Sequence, residues 1–149
     1  MYHAVKSDFE KVKEIFYLHK KWFPHVRTDY MKRMIAKKNL ILENDVVITY
    51  NFYKRKQKIG DVQAFKGDCI LHQIVAKTKG TASDVLQRFF KFVNHNPLGR
   101  RVYLSVRNDN EMAKNFYLKN NMKLIGKTSW SKGTLPGDVF VYDPWTYET

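Results

Sequence analysis

RVYLSVRNDNEMAKNFYLKNNMKLIG is the sequence of residues 101–126, and it contains three successive patterns. Its first six residues, RVYLSV at 101–106, are mainly β-branched, aromatic and apolar, which is typical of a strand. Asn108 and Glu111 then have the spacing of a capping box, which predicts the start of a helix. That helix would carry Met112, Ala113, Phe116 and Tyr117. With a further strand at 122–130, the stretch predicts a strand, a helix and a strand in succession.

The residues before this stretch predict another strand followed by a helix. Residues 69–76 (CILHQIVA) are the most strand-like run in the chain and are apolar enough for the centre of a sheet. Gly80 precedes a helix over 82–95, whose apolar residues cover much of its circumference. The connection Lys77-Thr78-Lys79-Gly80-Thr81-Ala82 would present backbone N–H groups at a helix start, which suits a pyrophosphate. The alternative interpretation is an ordinary glycine at the start of a helix.

The rest of the chain predicts short elements. Apolar residues at helical spacing predict one helix capped by Ser7 and a second helix over 28–38. Asn44-Asp45 is a turn dipeptide between two strand-like runs. Lys54–Lys58 is predicted to be a solvated basic loop, with a nucleic-acid contact as the alternative. The other strands are expected at 2–6, 40–43, 46–53, 61–65 and 138–143, the last after a loop with Gly133, Pro136 and Gly137. This order predicts one α/β domain over residues 1–149, with a mixed sheet and helices on its faces.

The charge and composition of the chain restrict its partners. Its 27 Lys and Arg residues against 14 Asp and Glu residues give a net charge of +13. Such a charge attracts polyanions such as nucleic acid, and the alternative interpretation is that it only keeps the protein soluble. The single cysteine, Cys69, cannot form an internal disulfide, and the five histidines lack metal-ligand spacing, so no metal is expected. No apolar run approaches the roughly 20 residues that span a bilayer, and no apolar signal core begins the chain. We expect a cytoplasmic protein without a membrane partner.

Two of these segments together resemble a known family. Within 106–126, the positions of motif B of the GNAT (N-acetyltransferase) superfamily are matched by Asn110, Ala113, Phe116 and Tyr117. Asn121-Met122 replaces the usual Gly-Phe step. Lys77 to Ala82 is similar to motif A, Gln/Arg-x-x-Gly-x-Gly/Ala, with a lysine where Gln or Arg is usual and a shorter connection from the strand. The two motifs occur in the order and at the separation that the family shows.

The resemblance implies a GNAT-like acyl-CoA N-acyltransferase fold, with a central, mostly antiparallel sheet that is splayed at the acyl-CoA site and helices on both faces. It also implies direct transfer of the acyl group from acetyl-CoA, or another acyl-CoA, to a primary amine. Tyr117 would protonate the departing thiolate as general acid, and a backbone amide near Ile74 or Val75 would bond the thioester carbonyl. The acyl-CoA contacts would come from Ile74, Val75, Lys77, Lys79, Gly80, Thr81, Ala82, Asn110, Ala113 and Tyr117.

The sequence leaves the general base and the acceptor site open. His72 has a suitable pKa for a base, although a lone histidine in an apolar strand is also typical of a core residue. Asp68 lies at the entrance of the same strand, and a relay through water is an equal alternative. Where the family places the wall of the acceptor site, this chain has His25, Arg27 and Tyr30, although an ordinary connection between two helices is an equal alternative. The acceptor would be a small-molecule or macromolecular amine, and the positive charge disfavours polycationic acceptors.

A second function also remains open. A GNAT-fold protein that has lost catalysis could use its basic surface to bind nucleic acid or an acidic partner. The shortened Lys77–Ala82 loop and the lack of a glutamate on the preceding strand favour this alternative, whereas the pair of Asn110 and Tyr117 favours the enzyme. A homodimer is left open as well.

Overall fold

The computed structural model describes residues 1–95 and 100–146. The chain forms two compact units, the first from Met1–Tyr50 and His72–Phe89 and the second from the described residues of Asn51–Leu71 and Phe90–Thr149. Each unit is therefore discontinuous in sequence. That residues 1–149 act as one domain stays a prediction.

The first unit combines a hairpin with helices. Its core is formed by the apolar faces of α1 (Phe9–Tyr17) and α2 (Thr28–Ala36) against the hairpin of β1 (Leu40–Glu43) and β2 (Val46–Phe52). The contributing side chains are Val12, Ile15, Phe16, Met31, Met34, Ile35, Leu40, Leu42 and Val47. The hairpin turn is tight because Asn44 and Asp45 both adopt left-handed backbone angles, with φ of 49° and 58°. The first two turns of α3 (Ala82–Val93) also belong to this unit.

The second unit is built on strands. It contains β3 (Gln57–Ile59), β4 (Val62–Ala64), β6 (Val102–Arg107), α4 (Glu111–Lys119), β7 (Lys123–Trp130) and β8 (Leu135–Tyr142). Strand β5 (Cys69–Ala76) begins in this unit and ends in the first one. The parallel ladder between β5 and β6 joins Cys69 to Val102 and Ile70 to Tyr103, at the start of both strands. Strand β8 pairs antiparallel with both β6 and β7.

These pairings confirm the mixed α/β class, with one parallel and several antiparallel ladders. Within residues 1–95 and 100–146, no helix is both long and apolar enough to cross a membrane.

Three local predictions were wrong near helix starts and strand ends. The strand expected at 2–6 is reduced to a single bridge between His3 and Ile41, because a 3-10 turn begins at Lys6. Ser7 lies inside that turn and caps no helix. The capping box at Asn108 is not formed either, since α4 begins after Asn110.

The loop expected around Gly133, Pro136 and Gly137 is shorter than predicted. The turn occupies residues 131–134, and both Pro136 and Gly137 belong to β8. Gly137 is needed there because a Cβ would lie 2.4 Å from the ring of Trp130. The glycine therefore serves the close packing of a strand and not a turn. Similarly, the predicted basic loop at 54–58 ends in strand residues, because β3 begins at Gln57.

Candidate functional site

The connection from β5 to α3, residues 77–81, lies in the first unit. Gly80 has a φ of 94°, which side-chain-bearing residues rarely adopt. A Cβ built at Gly80 would have no atom within 4 Å, so the space beside this backbone is open. The Thr81 hydroxyl donates to the carbonyl oxygen of Thr78 at 2.9 Å and closes the loop on itself. The loop can therefore admit an anion beside Gly80.

The two lysines of this loop differ in their surroundings. Lys77 Nζ lies 3.1 Å from Glu14 Oε1, and the Lys77 N–H donates to the carbonyl of Asp45 at 2.9 Å. Both side chains of that ion pair are exposed, so the pair is weak and an incoming phosphate can displace it. Lys79 is exposed and has no ion pair within the described parts of the chain. Lys79 is thus the cation of the loop that is available to a ligand.

Strand β5 alternates as predicted. Its buried side chains are Cys69, Leu71, Gln73 and Val75, whereas His72 is exposed and Ile74 is half-buried. Although His72 reaches solvent, the protein atoms around it desolvate the ring and lower its pKa. Burial raises the pKa of the Cys69 thiol, so this cysteine stays protonated and inert. The oxyanion role of the Ile74 or Val75 amide stays a prediction.

A buried polar network on β5 was missed by the sequence analysis. The Tyr30 hydroxyl donates to Gln73 Oε1 at 2.9 Å, and the Thr49 hydroxyl donates to the same oxygen. The Gln73 N–H in turn donates to Thr49 Oγ1 at 3.1 Å. The network joins α2, β2 and β5 within the first unit. One signal for it was present in the sequence, namely a glutamine on the apolar face of the most strand-like run.

Helix α4 carries the predicted residues of the second unit. The Asn110 side-chain oxygen accepts a hydrogen bond from the Ala113 N–H at 3.2 Å, which makes Asn110 the N-cap of α4. Its side-chain amide group remains able to donate to a ligand. Tyr117 is 7% exposed and packs against the rings of Phe116 and Phe140. A phenol is protonated at neutral pH at its ordinary pKa, and burial raises the pKa of Tyr117 further.

Asp68 also lies in the second unit, and its carboxylate is committed to backbone groups. Oδ2 accepts from the Phe65 N–H at 2.9 Å, and Oδ1 accepts from the Arg101 N–H at 3.4 Å. The side chain is 5% exposed. These contacts close the turn before β5, so they favour a structural role for Asp68 over that of a base.

The residues predicted for the acceptor site separate into two groups. Tyr30 is half-buried in the network with Gln73, whereas His25 and Arg27 are exposed. The ring of His25 lies 6.5 Å from that of Phe23, and Arg27 immediately precedes α2. Nowhere in the described part of the chain do three His, Cys, Asp or Glu side chains come together as a metal site.

Several solved structures have the same fold as this chain. The chain is similar to a GNAT-family acetyltransferase from Bacillus cereus at 17% identity and a TM-score of 0.66, covering 95% of this chain and 94% of that one. Arabidopsis thaliana NAA60 in complex with acetyl-CoA matches at 14% identity and a TM-score of 0.68, covering 95% and 97%. GphF, a GNAT-like decarboxylase in complex with isobutyryl-CoA, matches at 11% identity and a TM-score of 0.69, covering 95% and 97%.

No protein-family model matches the sequence, and no curated protein matches it. The structural matches cover nearly the whole chain, and they confirm the GNAT fold that the two motifs predicted. At these identities the likeness establishes the fold of the chain.

Proposed function

We propose that this chain, which has the GNAT fold, is an acyl-CoA-dependent N-acyltransferase with acetyl-CoA as its first candidate donor. The observation that carries the proposal is the arrangement on α4, where Asn110 caps the helix and the buried Tyr117 lies about two turns further along it. These are the positions that match motif B in sequence. Acyl-CoA supplies an activated thioester, and the protein residues bind it, orient it and move protons.

The phosphate end of acyl-CoA fits the residues of the β5–α3 loop. The open space beside Gly80 allows an anion to approach the backbone, and Lys79 offers an unpaired positive charge. Thr81 and Ala82 carry N–H groups at the start of α3. Lys77 would join this set after leaving Glu14. Asn110 would donate its side-chain amide to the pantetheine arm, with Ala113 leaving room beside it.

The acid step is assigned to Tyr117. The acceptor nitrogen attacks the thioester carbonyl, the carbon–sulfur bond breaks, and the sulfur takes the proton of the Tyr117 hydroxyl. The phenolate then regains a proton from solvent, which balances the proton that the acceptor loses. A phenol carries this proton throughout the neutral range at its ordinary pKa, and burial raises the pKa of Tyr117 further.

The base step is assigned to His72, acting directly or through water. Its lowered pKa keeps the ring neutral and able to accept a proton at neutral pH. Gln73 has no basic group, and both carboxylate oxygens of Asp68 already accept backbone N–H groups. Tyr30 and the exposed His25 and Arg27 would then contact the acceptor amine.

The test is a pair of measurements on the full chain. Acetyl-CoA and longer acyl-CoAs are titrated in a calorimeter, and thiol release is followed with a panel of primary amines and amine-bearing macromolecules. Tyr117→Phe should keep acyl-CoA binding but lower turnover by roughly 10²- to 10⁴-fold, the usual contribution of a general acid.

Tyr103→Phe is the matched control, since Tyr103 is equally buried in the second unit and lies outside the proposed machinery. Its turnover should be unchanged. Absence of binding by every acyl-CoA at millimolar concentration would remove the enzyme assignment. Binding with wild-type turnover in Tyr117→Phe would remove the acid role alone.

A further inference from the structure

A hairpin of the second unit carries an unusual concentration of positive charge. We define the basic hairpin as residues 54–66, which includes β3 and β4. Its base is closed by two backbone hydrogen bonds of 2.8 Å, from Tyr53 N–H to Asp68 and from Gly67 N–H to Tyr53. Its tip is held by Asp61, whose N–H donates to the Lys127 carbonyl at 3.0 Å and whose Oδ1 accepts from the Lys127 N–H at 2.8 Å. The basic hairpin is therefore an ordered element.

One side of the basic hairpin belongs to the core of its unit. Ala64 is fully buried with Tyr103 and Val141, and Ile59 and Val62 pack against the same cluster. The strand pairing places Ile59 opposite Val62 and Gln57 opposite Ala64. Ile59 and Val62 thus face the core, and Lys58, opposite Gln63, lies on the other face of the pair. The remaining basic residues flank the two strands, namely Lys54, Arg55, Lys56 and Lys66.

The positive side chains of the basic hairpin are not neutralised by carboxylates of the described residues. All five are exposed, and none forms an ion pair with any described residue: Lys54, Arg55, Lys56, Lys58 and Lys66. The acid of the hairpin, Asp61, is already bonded to the backbone of Lys127. By contrast, Lys11 of the first unit is paired with Asp45. Five like charges within 13 residues repel one another, and a polyanion relieves this repulsion.

An exposed aromatic ring lies among these charges. Phe65 is 50% exposed, and Lys56 Nζ lies 6.0 Å from the centre of its ring. Phe52, just before the hairpin, is 44% exposed. An exposed flat ring beside cations can stack on a nucleobase while the cations contact the phosphates.

We propose that the basic hairpin binds single-stranded nucleic acid, with Phe65 stacking on a base and the surrounding lysines contacting phosphates. A duplex would offer phosphates but keep its base faces hidden, so the exposed ring favours a single strand. The proposal does not depend on acyl transfer, because none of these residues belongs to the acyl-CoA machinery. The net charge of +13 predicts an affinity for polyanions without indicating which surface binds them, and the proposal assigns that binding to the basic hairpin.

The first measurement is fluorescence anisotropy of a fluorescein-labelled 12-nucleotide oligo(dT) with the full chain at several salt concentrations. Each phosphate contact to a single strand contributes about 0.7 to the slope of log K against log [salt]. The double variant Lys54→Gln/Lys56→Gln should therefore lower the slope by about 1.4. Lys20→Gln/Lys37→Gln removes the same charge from two exposed lysines of the first unit and should leave the slope unchanged. Equal slopes for both variants would overturn the assignment.

The second measurement tests the ring. Phe65→Ala should weaken oligo(dT) binding by roughly 5- to 100-fold without changing the salt slope, and Phe65→Trp should restore it. Because Phe65 is exposed, neither variant should lose its fold, which thermal unfolding checks. A 12-base-pair duplex should bind more weakly than the single strand. If Phe65→Ala binds normally, or if duplex and heparin bind as well as oligo(dT), the surface is a general polyanion site and the proposal is wrong.

Discussion

Replacing Asp138 by asparagine should destabilise the second unit, where Asp138 connects three elements. The side chain lies on β8 and is 1% exposed. Its carboxylate accepts from Lys127 Nζ of β7 at 2.7 Å, and it lies 3.1 Å from Lys114 Nζ of α4. Lys114 lies between Ala113 and Tyr117 on that helix. Asp138 therefore contributes to the placement of the helix that carries the proposed acid.

The magnitude follows from what asparagine can replace. It keeps the shape and one acceptor oxygen, but it loses the negative charge and presents an amide N–H₂ where a lysine donated. A hydrogen bond to a charged group is worth about 1.5–3 kcal/mol. Lys127 is 69% exposed and recovers its solvation, whereas Lys114 is 20% exposed and recovers less. We therefore expect a loss near the middle of the range for one such bond, about 2 kcal/mol.

The loss should depend on pH in a defined direction. The hydrogen bond from Lys127, with that from Lys114, lowers the pKa of Asp138 below its unfolded value. A carboxylate with a lowered folded pKa stabilises the protein above its unfolded pKa of about 3.9, and the contribution disappears as pH falls through the folded pKa. The difference in the free energy of unfolding between wild type and Asp138→Asn should thus be constant near neutral pH and disappear in acid.

Urea unfolding followed by tryptophan fluorescence between pH 3 and 7 measures this difference. Asp109→Asn is the control, because Asp109 pairs with Arg107 at the surface of the same unit and should change stability little. A difference below about 0.5 kcal/mol, the usual effect of a neutral surface change, would refute the reasoning. So would a difference that stays the same from pH 7 to pH 3.

Two further changes test the proposed acyl-CoA contacts. Gly80→Ala meets no atom but is forced to keep a φ of 94°, so we expect a loss of about 1–3 kcal/mol in thermal unfolding and weaker acyl-CoA binding by calorimetry. Unchanged acyl-CoA affinity would show that this backbone does not approach the ligand. Asn110→Ala should cost about 1 kcal/mol through the lost helix cap, whereas Asn110→Asp keeps the cap but removes the N–H₂ donor. If Asn110→Asp binds acyl-CoA as tightly as the wild type, Asn110 acts as a cap only.

The parts of the fold that the sequence predicted well are those determined by neighbouring residues. Asn44 and Asp45 tolerate left-handed angles, so the β1–β2 turn could be read directly from the dipeptide. The errors occur where local chemistry allows more than one answer. Both Asn108 and Asn110 can cap a helix, and the choice of Asn110 depends on its bond to Ala113. Gly137 was predicted to be a turn residue because the local sequence does not show that the ring of Trp130, from the neighbouring strand, packs against it.

The same distinction separates the two proton transfers of the proposed reaction. The acid side depends on one helix, so the resemblance of Asn110 and Tyr117 to motif B implied it, and it stays a prediction. The base side depends on contacts between residues distant in sequence, since Gln73 is bonded to Thr49 and Tyr30, 24 and 43 positions away. That network fixes a neutral amide on the buried face of β5 and leaves His72 on the other face as the one basic side chain of this strand. If the acceptor of the proton lies at β5, it is then either His72 or a water molecule beside the strand. His72→Gln distinguishes the two by the pH dependence of turnover. A water relay would keep the wild-type pH profile, whereas a base role of the imidazole means that the variant loses the acidic limb of that profile.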